Sequence, residues 1–248
     1  MMVAMKEPLV NDEPVSGATT RVVEASPAPV AAALPALSFA DPTALGLFGL
    51  AIGCAALLPI AFGVKSAMTV DALRTASWMC LLFGGGCQFL AGLMSFANKN
   101  MLGGTLLTTF SFNWVINWWA LDEASQGRAV DSSIVLSVDV AFIIIFLVLT
   151  YAFGFFSKLL FLFLVDIDLL YVLRIGRHFT TAGSDSWKLL GTGVGVTTIV
   201  LIAIALYISF VLLVNPAAGR AVFPVFAGPM FKPTPPPVVA APSVSAAA

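Results

Sequence analysis

Residues 134–156 read IVLSVDVAFIIIFLVLTYAFGFF, and Asp139 is the one charged side chain in the run. A helix rises roughly 1.5 Å per residue, so the hydrocarbon core of a bilayer takes about 20 apolar residues to cross. This run meets that length. It does not alternate apolar with polar positions, as a membrane-barrel strand would. It reads as one transmembrane helix.

The same ruler finds five more spans, near residues 43–64, 76–97, 101–121, 158–175 and 188–214. Polar or turn-forming stretches divide most of them: Lys65 to Arg74, Asn98-Lys99-Asn100, residues 122–133, and Arg177 to Asp185. Only Gly154 to Lys158 is left to turn the chain between the fourth and fifth spans, so that connection is tight. Hydrophobic residues make up 59% of the chain and charged ones 10%, against about 25% charged in soluble domains. A soluble core has no room for that much apolar surface. The expected fold is an all-α integral membrane protein with six transmembrane helices, occupying residues 39–226. Residues 1–38 and the Pro- and Ala-rich 227–248 are expected to be tails, the first a disordered one with no signal-peptide core.

Several functions are disfavoured by composition. A net charge of −1 gives no electrostatic case for nucleic acid. Cys54, Cys80 and Cys87 form no CxxC and lie in apolar runs, so no zinc site or disulfide framework is suggested. His178, the single histidine, is expected in a loop near a membrane face. No Gly-x-Ser-x-Gly, no His-Glu-x-x-His and no catalytic pair of carboxylates facing one way is present. The reading is therefore no enzyme, no catalytic residues, no metal and no cofactor. Charge does not orient the chain either. With the N-terminus inside, Lys6, Arg21, Lys99, Lys158, Arg220 and Lys232 fall on one side, and Lys65, Arg74, Arg128, Arg174, Arg177 and Lys188 on the other.

Glycines gather on particular faces: Gly46, Gly49 and Gly53 in the first span, Gly84-Gly85-Gly86 and Gly92 in the second, Gly103-Gly104 in the third. Such rows let membrane helices approach closely. Gly191-Thr192-Gly193-Val194-Gly195 is read the same way, because a phosphate loop needs a Lys-Ser/Thr pair and a preceding strand.

Ordered blocks then resemble a known family. Asp41-Pro42-Thr43-Ala44-Leu45-Gly46-Leu47 starts the first helix, with Pro42 suited to a first turn and Asp41 able to cap it. It is similar to the Asn-Pro-Ala-Pro-Leu-Gly-Leu signature of the acetate uptake transporter (succinate–acetate permease) family. Phe83-Gly84-Gly85-Gly86-Cys87-Gln88-Phe89-Leu90-Ala91-Gly92 resembles that family's Phe-x-Gly-Gly-x-x-Gln-x-x-Ala-Gly block. Asn100 through Thr108 resembles Gly-Asn-Thr-Phe-Gly-x-Thr-Ala-Phe-Thr, and Trp114 follows at the family's spacing. Asn215, Gly219-Arg220 and Pro224 match the ending of its last helix.

The resemblance implies a homohexamer in the plasma (inner) membrane, both termini cytoplasmic, each protomer with its own path for acetate and related small monocarboxylates, succinate included or not. It implies a constriction that falls here on Leu50, Phe110 and Asp166, and a path mouth at Asp41, Pro42, Leu45, Gly46 and Leu47. Three departures stand out: Asp41 for Asn, Ala44 for the second Pro, and Ser95 where the family has Glu.

Mid-membrane carboxylates are costly, by roughly 2.5–3.5 kcal/mol on insertion scales. Asp166 and Asp168 sit about midway between Lys158 and Arg174, each flank on the order of 12 Å away along the helix. At i and i+2 they point about 200° apart, so they do not share one pore. Asp166 is assigned to the path and Asp168 to a helix or subunit contact. An ionised Asp166 repels a carboxylate; a neutral one donates to it or moves a proton with it, which makes transport proton-linked. The alternative is a structural Asp. Gln88, Asn113 and Asn117 either bind a carboxylate or clamp helices, and Thr105, Thr108 and Thr109 either face the path or bond their own backbone. Trp114, Trp118 and Trp119 read as an interfacial belt, and Asp139 as a solvated residue at the outer end of its span. Competing readings are a urea, amide or ammonia channel of similar architecture, and a membrane scaffold or sensor.

Overall fold

The computed structural model describes residues 39–226 and 228–232. Six long helices follow one another, with no strand among the described residues. They are α1 (Thr43–Ala61), α2 (Val70–Ala97), α3 (Met101–Ser125), α4 (Ser132–Phe153), α5 (Lys158–His178) and α6 (Asp185–Ala218). The expected all-α, six-helix architecture is what the chain adopts. Four of them, α1, α2, α4 and α6, are long and apolar enough to cross a membrane by composition alone. The remaining two, α3 and α5, are the ones that carry the Thr and Asn residues and the paired aspartates.

Local chemistry sets most of the helix starts. The Asp41 carboxylate accepts from the Thr43 N–H at 2.9 Å and from the Thr43 hydroxyl at 2.6 Å, tying the first turn of α1. Thr69 caps α2 by accepting from Ala72, Asn100 caps α3 from Gly103, and Asp131 caps α4 from Ser133 and Ile134. Ser157 and Ser184 do the same for α5 and α6. Each satisfies an N–H that a first turn leaves unpaired. The cap at Thr69 explains why α2 begins at Val70 and not near residue 76: Asp71 and Arg74, polar enough to read as loop, lie on its first turns.

Within α2, Cys80–Cys87 is wound as π-helix around Gly84-Gly85-Gly86. A π turn is wider than an α turn and is seen often at functional sites. Here α1 and α3 lean on it. At Gly49 of α1, a Cβ would stand 2.4 Å from the Phe83 backbone oxygen, so the two helices touch backbone to backbone. At Gly84 it would stand 2.3 Å from the Trp114 ring of α3.

The helices pack in the order α3, α2, α1, α6, α5, α4, and the seam between α4 and α3, where contact is least, brings the two ends of that order together. An aromatic group fills the interior from α3, α4 and α5: Phe110 meets Phe146 edge-on at 5.1 Å, and Phe142 and Phe146 both lie against Tyr171. The Phe residues of the fourth span are thus partly core.

One end of the bundle gathers several chain segments. Asn98 exchanges hydrogen bonds with Phe39, and Asn215 accepts from Val222 and Phe223, folding the chain back along α6. Beyond it, Met230 and Phe231 donate backbone hydrogen bonds to the Gly154 carbonyl, and the Phe231 ring occupies the space a side chain at 154 would need. Residues 1–38, 227 and 233–248, most of the expected tails, lie outside the described residues.

Candidate functional site

Four cavities lie in series, and adjoining ones share lining residues. A mouth of about 270 Å³ is bordered by Asp41, Thr43, Asn100 and Leu160. Thr43, Asn100 and Leu160 also line the next, a pocket of about 60 Å³ that reaches Leu47, Gln88, Phe163 and Phe110. Phe110 borders in turn a wider cavity of about 300 Å³, walled by Cys54, Asn113, Trp114, Tyr171, Arg174 and Arg177. The two arginines open onto an outer cavity of about 400 Å³ with Asp139, His178 and Trp187.

Phe110 is the one lining residue common to the small pocket and the wide cavity. On α1, Leu47 lines the first and Cys54 the second, with Leu50 fully buried between them. On α5, Phe163 lines one side and Tyr171 the other, with Leu164 and Ile167 fully buried between. The waist is therefore apolar and closed.

The expected site residues fall into groups. Leu50 and Phe110 belong to one buried core cluster at the waist. Asp166 is 7% exposed and lines neither flanking cavity, and its Oδ2 has no hydrogen-bond partner in the protein. Of the mouth set, Asp41 borders the mouth cavity and Leu47 the small pocket, Pro42 and Gly46 are buried, and Leu45 is exposed. Gln88 lines the small pocket, almost fully buried, with its Oε1 unpartnered. Asn113 lines the wide cavity, and Asn117 beside it donates to the Asn113 backbone carbonyl at 2.9 Å, so its amide bonds its own helix. Thr108 packs against Gly92 of α2, Thr109 faces a groove at the α3–α4 seam, and Thr105 is half-buried. Asp168 accepts from the Thr150 hydroxyl of α4 at 2.7 Å, an interhelical bond.

Three expectations are overturned. Asp139 is not solvated: it is 3% exposed, and its Oδ1 lies 3.0 Å from Arg174 Nη2 across α4–α5. His178 is not in a loop: it closes α5, with Nε2 3.8 Å from Asp139 and Nδ1 3.0 Å from the Ser132 hydroxyl. Trp114 is not interfacial: 2% exposed, it sits against Gly53 and Gly84, whose missing side chains leave room for the indole. Arg174 and Arg177, which in the sequence mark only charge and the end of a span, line the two largest cavities of the series. The signal lay in their spacing, i and i+3 on one helix face, one turn beyond Tyr171.

The sequence model of the GPR1/FUN34/yaaH family matches residues 23–230. A "Glyoxylate pathway regulator" of Yarrowia lipolytica is 30% identical over 99 residues, covering 40% of this chain and 35% of that protein. The chain thus aligns with only about a third of that relative's length. A solved structure, "Structure of the bacterial acetate channel SatP", superposes with a TM-score of 0.65 at 21% identity, covering 76% of this chain and 99% of SatP. At that identity the likeness speaks for the fold. With the family match running through all six helices, the chain belongs to the GPR1/FUN34/yaaH family, the acetate uptake transporter family that its ordered sequence blocks resemble.

Proposed function

We propose that the protein carries acetate and related small monocarboxylates across the membrane through the four cavities, past the waist at Leu50 and Phe110, with movement linked to protons through Asp166. The observation that carries this reading is the position of Phe110, the single lining residue common to the pockets on either side of the waist. Family membership and the SatP-like fold support it. Each protomer of a homohexamer has its own path, and both termini lie in the cytoplasm of the inner (plasma) membrane, which puts the arginine-lined cavity outside. Gln88, Asn113 and the threonines of α3 supply polar contacts along the way. Binding, desolvation and proton transfer do the chemistry, and the carbon skeleton of the solute is left unchanged.

The test is uptake of labelled acetate by the purified protein in proteoliposomes, with and without a pH gradient, against propionate, succinate and urea. Saturable uptake stimulated by an inward proton gradient, and competed by propionate, supports the reading. Competition by urea with no gradient effect, or no uptake at all, overturns it.

A further inference from the structure

Four charged or titratable side chains line the outer cavity: Asp139, Arg174, Arg177 and His178. Asp139 is committed to Arg174 at 3.0 Å, with His178 3.8 Å away on its other oxygen. Arg177 has no carboxylate within ion-pair distance among the described residues. It is also held in place. Its guanidinium lies 4.2 Å over the Trp187 ring, and Gly191 passes beside it, where an added Cβ would be 3.6 Å from Cζ. Stacking against an indole fixes the guanidinium plane and leaves its N–H edge for an acceptor.

Position adds to charge. Arg177 lines both the outer and the wide cavity, so a solute moving between them passes it. Its Nε is buried without a partner in the protein, as are the Tyr171 hydroxyl and Trp114 Nε1 on the wall of the wide cavity. A buried donor left unpaired is unfavourable, and three of them around one cavity, beside an uncompensated cation, suit an anionic oxygen ligand.

We propose that Arg177 is the carboxylate-docking residue of this path: its planar N–H fork binds the carboxylate of the solute between the outer and the wide cavity, ahead of the waist, while Arg174 is kept from that task by Asp139. The assignment rests on the acetate reading above. A fork of parallel N–H groups matches two carboxylate oxygens, which an ammonium at the same place does not. Arg177 therefore sets affinity for the solute, and the waist sets the rate of passage.

The experiment uses the full chain in proteoliposomes and labelled acetate. Saturable uptake by the wild type comes first; its absence sinks the transport reading and, with it, this one. Given uptake, Arg177→Gln is expected to raise the KM for acetate about tenfold or more, with maximal velocity changed less than about twofold, and Arg177→Lys to recover only part of the affinity. Unchanged KM in Arg177→Gln overturns the proposal and leaves acetate transport standing. A second readout needs no transport. Sodium acetate titrated into detergent-solubilised protein is expected to alter the Trp187 emission, taken as the difference from Trp187→Phe. A flat difference trace from wild-type protein that transports acetate overturns the proposal even if Arg177→Gln fails to fold.

Discussion

Arg174 Nη2 lies 3.0 Å from Asp139 Oδ1, and the bond crosses from α5 to α4 on the wall of the outer cavity. Removing one partner of a buried ion pair costs about 3–5 kcal/mol, because the other charge is left stranded. Arg174 is 22% exposed, which softens the penalty toward about 2–3 kcal/mol. Asp139→Ala is expected to lower the thermal midpoint in detergent by several degrees, whereas Asp139→Glu recovers part of it. A midpoint unchanged in the Ala variant would show that the pair adds nothing to stability.

The α1–α2 contact predicts a contrast between two glycines. Gly49→Ala would set a methyl 2.4 Å from the Phe83 backbone oxygen, an atom that cannot rotate away. Overpacking of that kind costs about 1–3 kcal/mol or more. Gly86→Ala meets nothing closer than the Leu81 oxygen at 3.7 Å and is expected to be tolerated. The yield of monodisperse protein and its thermal midpoint check both, and equal behaviour would contradict the packing described.

Truncating the ring at the waist should trade selectivity for flux. Phe110→Ala joins the small pocket to the wide cavity, and uptake of butyrate relative to acetate is expected to rise severalfold. The stability cost falls toward the low end of the about 3–5 kcal/mol typical of a buried Phe→Ala, since cavities already flank the ring. A butyrate-to-acetate ratio no different from wild type would place the size filter elsewhere.

The proposed proton-linked role of Asp166 is tested by Asp166→Asn, which keeps the volume and hydrogen-bonding capacity of a neutral carboxyl but carries no exchangeable charge. Acetate uptake by this variant is expected to lose most of its stimulation by an inward proton gradient while gradient-free exchange persists. Gradient dependence equal to wild type assigns Asp166 a structural role.

The sequence revealed helices far better than it revealed their rotation. Length and apolarity placed all six spans, and the Asp41 cap and the close glycine contacts followed from residue type alone. Boundaries slipped where polarity misled. Asp71, Arg74 and Asp185 read as loop, yet each sits in the opening turns of a capped helix. What stayed hidden were pairings between helices. Asp139 and Arg174 are 35 positions apart, and only the relative rotation of α4 and α5 turns them toward one another. Thr150 with Asp168, and Trp114 with Gly53 and Gly84, are of the same kind. The cavity series was half legible for that reason: Thr43 and Asn100 fall in the family-like blocks and Phe110 at the expected constriction, whereas Arg174 and Arg177, shared by the two largest cavities, carry no motif.

Phe110 is the one residue that lines both inner pockets, so a carboxylate on the proposed path would have to shed its hydration at the waist, among Leu50, Leu164 and Ile167. An anion stripped of water in an apolar setting is far costlier than its neutral acid. On the proposed path the waist is therefore a dehydration step that would discriminate by protonation as well as by size. Proton-linked passage, as proposed, would then have a physical origin in the apolar wall itself, with Asp166 on the same stretch of α5 as the proposed proton donor.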